Sequence, residues 1–179
     1  MSSSKLALLD WVMGQVLLPE QFEAQQESIL ANIGARAELS GLPSDGLARL
    51  AIDEDQLAAG AVAIGRLTYV FPSGLLIDVP GNAVVSDLNL DPTLTDGVSI
   101  YLHIRTELRD ATELKPYLDD PRGVRRSIYS AELSTAASHD HAYASVRLMS
   151  LTRRDDRWSL DPYVPPLLRV GRRRCLSKP

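Results

Sequence analysis

The sequence contains one cysteine, Cys175, among its 179 residues. A single cysteine cannot form a disulfide within the chain, and it cannot supply a metal site built from several cysteines. These limits exclude disulfide scaffolds and zinc ribbons. Such cysteine usage is typical of a protein in a reducing compartment.

Long hydrophobic runs and a strong excess of charge are also missing. No uncharged stretch approaches the roughly twenty apolar residues that a membrane-spanning helix requires. The apolar run at residues 6–9 is interrupted by Asp10 and Gln15, so we expect no export signal. The formal net charge of -4 does not attract nucleic acid or an anionic membrane. We therefore expect a cytoplasmic protein with no nucleic-acid partner and no membrane insertion.

Motifs that carry catalysis are absent from the sequence. There is no Gly-x-Ser-x-Gly pattern, and Cys175 has no neighbouring base. The carboxylate pairs Asp119-Asp120 and Asp155-Asp156 lie beside a proline and an arginine, which is typical of solvated turns. The glycines do not have the spacing of a phosphate-binding loop. The sequence predicts no enzymatic activity, no catalytic residue and no cofactor.

The segment His139-Asp140-His141 is the best candidate for a metal site. In a strand its two histidines would share one face, but a third protein ligand is normally required and His103 is distant in sequence. We interpret the segment as a polar turn between two strands and predict no metal. A small-ligand or metal site at His103, His139 and His141 is the weaker alternative.

An apolar arm at residues 1–18 leads into a predicted amphipathic helix at 19–40. Pro19 suits the first position of a helix, where its missing N–H is not needed. The helix has an apolar stripe at three- and four-residue steps, with glutamates lying off it. The stripe consists of Phe22, Gln26, Ile29, Leu30, Ile33 and Ala37.

Short strands separated by turn residues follow over residues 46–168. Residues 98–105 alternate apolar and polar side chains, which indicates a half-buried strand. Asp53 can cap a short helix that ends at Gly60, and Gly65 is a candidate β-bulge within a strand at 61–71. The pattern predicts a mainly β domain, an antiparallel β-sandwich with an N-terminal helix. Further strands are expected at 47–52, 75–79, 124–133, 142–151 and 157–160.

We expect one domain over residues 1–179, ending in a basic tail at 169–179. The tail has no aromatic residues among its arginines, so it indicates a solvated segment rather than a nucleic-acid site. Two apolar segments, Trp11–Leu18 and Tyr163–Leu168, lie outside the predicted strands. We expect both to pack on their own sandwich, the first as a latch between the helix and the sheets. The alternative is a partner or subunit interface at Trp11, Leu17, Phe22, Tyr163, Pro165 and Pro166.

Four sequence blocks resemble the TssK family, also called VasE or ImpJ. The opening residues Trp11 to Phe22 resemble its Trp-x-x-Gly-Met-x-Leu-x-Pro-Gln-His-Phe pattern. Residues 50–60 resemble its Leu-Asp-x-x-x-Leu-x-x-Gly segment, and 66–74 resemble its strand ending in Phe-Pro-Asp-Gly. Residues 163–168 resemble its Phe-Ile-Pro-Pro-Leu segment. The chain departs from the family at Gly14-Gln15 and Glu20-Gln21, which puts partner identity in doubt more than fold.

The resemblance implies a structural component of the bacterial type VI secretion baseplate. It implies a homotrimer whose N-terminal shoulder is a β-sandwich similar to the shoulders of phage receptor-binding proteins. The shoulder is expected to dock on the wedge proteins TssG and TssF. A neck and a head follow in the family, and the head engages TssL and TssM, so we expect this chain to cover the shoulder only. A phage-tail receptor-binding or structural module is the alternative.

Overall fold

The computed structural model describes residues 6–41, 43–94, 97–111, 114, 117 and 125–168. The predicted tail with Cys175 and the pair Asp119-Asp120 lie outside the described residues. Within these residues, two helices and ten strands follow one another in this order: α1 (Pro19–Leu39), β1 (Gly46–Ile52), α2 (Glu54–Ala58), β2 (Ala61–Val62), β3 (Ile64–Val70), β4 (Leu76–Val79), β5 (Ala83–Ser86), β6 (Leu88–Asn89), β7 (Val98–Asp110), β8 (Ser127–Ser134), β9 (Ala142–Arg154) and β10 (Arg157–Leu160).

Helix α1 begins at Pro19, as the sequence predicts. Leu18 precedes it in an extended conformation, with φ -107° and ψ 151°, because a residue before proline is pushed out of the helical region. The Leu18 N–H donates to Gln21 Oε1 at 2.9 Å and so gains a partner at the helix end. The short helix α2 is capped as predicted, since Asp53 Oδ1 accepts from the N–H groups of Asp55 and Gln56, both at 3.0 Å.

The strands form a three-stranded sheet in the order β1-β3-β4 and a five-stranded sheet in the order β10-β9-β7-β8-β5. Strands β2 and β6 make a separate pair. Buried side chains of both larger sheets belong to one hydrophobic cluster, including Leu67 and Ile77 from one sheet and Ile100, Leu102 and Leu148 from the other. The domain is therefore a mainly β sandwich, which confirms the predicted fold class.

Two details of the predicted strands are settled by the structure. The single strand expected at 61–71 is two strands, β2 and β3, which belong to different sheets. The predicted bulge at Gly65 is confirmed, because Ala51 pairs with Arg66 while Ile52 pairs with Ile64, leaving Gly65 without an opposite residue.

Strand β5 was not predicted, and it breaks the expected antiparallel pattern. It pairs with β8 in parallel, with Ala83 opposite Tyr129. Two parallel strands are joined by a long crossover connection rather than by a tight turn, and here that connection includes β6 and β7. No turn motif in the sequence therefore indicates that β5 pairs with β8.

Candidate protein interface

The exposed apolar surface of the protein is concentrated before the sandwich. Of seventeen large hydrophobic side chains that are exposed among the described residues, thirteen lie in residues 6–39. Such a concentration marks an interaction surface more often than a monomer's free surface. The thirteen are Leu6, Leu8, Trp11, Val12, Met13, Val16, Leu17, Leu18, Phe22, Ile29, Leu30, Ile33 and Leu39.

The prediction that the arm Trp11–Leu18 ties the helix to the sandwich is wrong. Trp11 is 42% exposed, Leu17 60% and Phe22 51%, and the hydrophobic cluster of the sandwich contains no described residue before Leu47. The sequence pattern indicated correctly that the arm and helix carry an apolar face. The two sheets bury their apolar faces against each other, so the sandwich core is closed without a contribution from that face.

The arm folds back on the start of α1 through a turn at residues 12–15. The Gln15 N–H donates to the Val12 carbonyl at 3.1 Å, and Gly14 has φ +83°, as the third residue of a type II turn requires. The turn brings the ring of Trp11 to 6.0 Å from the ring of Phe22, and the planes of the two rings are tilted by 52°. A tilted pair at this distance is a favourable aromatic contact. The arm and the first turn of α1 therefore form one apolar unit.

Helix α1 presents its apolar stripe to solvent along its length. Phe22, Ile29 and Ile33 share one side of the helix and are each more than half exposed. Ser28, on a different side, is the buried residue of the helix. The stripe is thus an unpartnered face rather than a part of the core.

The second predicted segment, Tyr163–Leu168, packs on its own domain. Leu167 pairs with Leu47 at the edge of β1, and the Leu47 N–H donates to the Pro166 carbonyl at 2.7 Å. Pro165 is buried, whereas Pro166 is exposed. The Tyr163 hydroxyl donates to the Arg147 carbonyl at 3.3 Å, and its ring lies 4.0 Å below the Arg147 guanidinium. The predicted packing of the segment Tyr163–Leu168 on its own sandwich is confirmed, and the participation of this segment in an interface stays a prediction.

His103 is buried and lies among polar groups on the outer side of the five-stranded sheet. Its Nε2 lies 3.1 Å from Ala136 O and 2.8 Å from Ser134 Oγ, and its Nδ1 lies 2.8 Å from Ser145 Oγ, all within hydrogen-bond distance. Both ring nitrogens therefore have protein partners. Burial lowers the pKa of His103 below its ordinary value and His139 acts in the same direction, whereas the Ala136 carbonyl and Glu132 oppose the shift.

The residues 135–141 form the polar turn that the sequence predicts between β8 and β9. His139 Nε2 lies 3.4 Å from Glu132 Oε2, and His139 Nδ1 lies 3.1 Å from Arg105 Nη1 and 2.8 Å from the Asp140 carbonyl oxygen. The rings of His103 and His139 are 5.3 Å apart, but His141 is exposed at the end of the turn. Across the described part of the chain, no three His, Cys, Asp or Glu side chains are grouped to hold a metal ion.

Sequence reasoning missed the burial of His103. The alternation in β7 assigned His103 to the outer face of the sheet, and on that face it is covered by the 135–141 turn. Its hydrogen-bond partners lie on β8, β9 and the turn, so only the assembled sheet brings them together. The arrangement ties the turn to the sheet and leaves no ring nitrogen of His103 free to bind a metal.

Comparison with protein families identifies the chain. Residues 21–133, more than half of its length, match a family described as bacterial type VI secretion, EvfL, ImpJ and VasE. The chain belongs to this family. The matched range contains two of the four sequence blocks that resemble TssK, those at 50–60 and 66–74. Members of this family take part in bacterial type VI secretion.

Solved structures of TssK and type VI baseplates share the fold. A structure of the TssK-TssF-TssG baseplate subcomplex matches with a TM-score of 0.68 and 20% identity over 90% of this chain and 62% of that one. A structure of the baseplate complex matches with a TM-score of 0.69 and 20% identity over 90% of this chain and 60% of that one. A crystal structure of TssK matches with a TM-score of 0.66 and 14% identity over 90% of this chain and 42% of that one. The chain thus spans less than two thirds of each relative.

A search of curated protein sequences finds no match. Within the described ranges, neither helix has the length and apolar character needed to cross a membrane.

Proposed function

We propose that this chain is the shoulder of a TssK-like baseplate protein and docks that protein onto a wedge built from TssF and TssG. Family membership supports a role in type VI secretion. One of the structural relatives is a subcomplex of TssK with TssF and TssG. The shared sandwich supports an equivalent position for this domain. The domain acts as an adaptor, with neither catalysis nor a cofactor.

The observation that carries the proposal is the apolar surface of the arm and α1. A soluble domain rarely leaves so many large apolar side chains exposed, because an apolar side chain has a lower free energy when it is buried than when it is in contact with water. Trp11 and Phe22 are aromatic residues, the type enriched at the centres of protein interfaces. Docking on a wedge protein would bury this surface.

Assembly in the proposed baseplate relies on buried area and on several linked copies. The resemblance to TssK implies a homotrimer, so three shoulders present three such surfaces to the wedge. Linked sites raise the effective concentration of each further contact, which strengthens binding without additional chemistry. We assign contacts with TssL and TssM to the C-terminal head found in the family, and the shoulder to the cytoplasmic baseplate.

Capture of a purified TssF–TssG wedge from the same genome tests the proposal. The double variant Trp11→Ala/Phe22→Ala is expected to weaken capture about tenfold or more, because truncating interface anchors typically costs above 1 kcal/mol each. Tyr143→Ala is the matched control, since Tyr143 is an exposed aromatic residue of the sandwich at 60% exposure. Undiminished capture by the double variant at equal folded concentration would contradict the role of the arm. No capture by the wild type would contradict the proposed function.

A further inference from the structure

The apolar stripe of α1 lies beside a line of acidic side chains. Glu20, Glu23 and Glu27 follow one another at three- and four-residue steps and are exposed. Residues at such steps lie along one side of a helix. Glu23 lies about 100° around the helix from Phe22, given 3.6 residues per turn, and so borders the stripe.

The negative charge of the protein is concentrated in the same segment. Residues 6–41 contain five acidic residues and one basic residue, Arg36, while the rest of the chain has equal numbers of both. Their net charge therefore equals the -4 of the whole sequence. The surface that is most apolar is also the surface with the excess of negative charge.

We propose that α1 and its arm bind as one unit in an apolar groove on the wedge, and that the rim of this groove carries lysine and arginine side chains. This inference rests on the proposed function and names the chemistry of the partner surface. Amphipathic helices commonly bind by laying their apolar face in such a groove. The stripe from Phe22 to Ile33 is about 16 Å long, at 1.5 Å per residue, and the Trp11–Phe22 pair extends it at one end. A basic rim would face Glu23 and its acidic neighbours.

A second copy of this chain fits the same surface poorly. Each copy of α1 brings four glutamates against a single arginine. Helix-to-helix pairing of two copies would therefore leave most glutamates without an opposite cation and place like charges near one another. Like-charge juxtaposition opposes association, whereas a basic groove attracts the segment and guides its approach.

Binding of the purified TssF–TssG wedge at low and moderate salt tests the charge complementarity. Glu23→Lys is expected to weaken binding about tenfold at low salt, with a smaller effect at higher salt, because ions screen exposed charges over about 10 Å at 0.1 M. Asp87→Lys makes the same charge change at an exposed position of the sandwich and is expected to leave binding unchanged. Circular dichroism of each variant checks that α1 is still formed.

The apolar half of the inference is tested by Ile33→Ala with Leu76→Ala as control. Ile33 is 59% exposed on α1 and Leu76 is 47% exposed on the sandwich. The first variant is expected to weaken wedge binding about tenfold at every salt concentration and the second to have no effect. The sedimentation coefficient of the free protein is expected to be unchanged by Ile33→Ala.

The outcomes separate this inference from the proposed function. Wedge binding that is insensitive to both Glu23→Lys and Ile33→Ala would overturn the helix-in-groove inference and leave the proposed function standing. A wild-type protein that does not bind the wedge would overturn both. A change of oligomeric state in Ile33→Ala would show that the stripe joins copies of this chain, which also overturns the inference.

Discussion

His103 shows how one residue can link the stability of the protein to pH. It is fully buried, and its ring is held by Ser134, Ser145 and the Ala136 carbonyl. Because its pKa is lowered in the folded state, the unfolded chain takes up a proton on this residue at a higher pH than the folded protein does. The folded state therefore loses stability as the pH falls below about 6.5, the ordinary pKa of histidine.

Urea unfolding between pH 7.5 and 5 measures this loss. The free energy of unfolding is expected to decrease below pH 6.5, with a contribution from His103 that cannot exceed about 1.4 kcal/mol per pH unit. His103→Gln is expected to reduce the slope, because the variant side chain does not titrate. His141→Gln, at an exposed position, is the control for removing a histidine. Equal slopes in all three proteins would show that His103 is not the group responsible.

At the scale of elements, two glycines have opposite requirements. Gly34 lies within α1, and a Cβ placed there would have no neighbour within 4 Å. Gly46 begins β1 with φ +126°, and a Cβ there would lie 2.8 Å from Leu168 N and Pro166 O. The first glycine is free of steric constraint, whereas the second permits the close approach of the C-terminal segment to β1.

Alanine substitutions at these glycines are expected to have opposite effects. Gly34→Ala should favour α1 by about 1 kcal/mol, because alanine has the higher helix propensity, and should increase the helical signal in far-ultraviolet circular dichroism. Gly46→Ala should destabilise the protein by about 1–3 kcal/mol through backbone strain and displacement of residues 166–168. Thermal unfolding measures the second effect. A Gly46→Ala protein as stable as the wild type would contradict the close contact.

At the scale of the molecule, the N-terminal apolar surface is separate from the core of the sandwich. The hydrophobic cluster between the sheets includes none of the described residues before Leu47. We therefore expect the stability of the domain to reside in the sandwich, since the apolar side chains exposed in residues 6–39 add nothing to this core.

Deletion of residues 1–41 is expected to leave the sandwich folded. The free energy of unfolding should change by less than about 1 kcal/mol, well below the 2–5 kcal/mol expected for Ile100→Ala in the core. Urea unfolding followed by the fluorescence of Trp158, which is buried, checks both values. A truncated protein that no longer unfolds cooperatively would show that α1 supports the sandwich after all.

Much of the local structure could be predicted from the sequence. Pro19 determines where α1 begins, Asp53 and Gly60 bound α2, and Gly65 marks the bulge in β3. Each of these depends on the backbone preferences of one residue or its near neighbours. The same local evidence could not predict β5, because its partner β8 is more than forty residues away along the chain.

The sequence by itself determined that α1 has an apolar face, that short strands build a sandwich, and that the chain resembles TssK. Only the tertiary structure decided that the apolar face of α1 is exposed, that His103 is buried and that residues 163–168 lie along β1. Periodicity reports which residues share a side of an element, since this follows from backbone geometry alone. What covers that side depends on segments distant in the chain, and here the two sheets close the core between themselves and leave the helix face exposed.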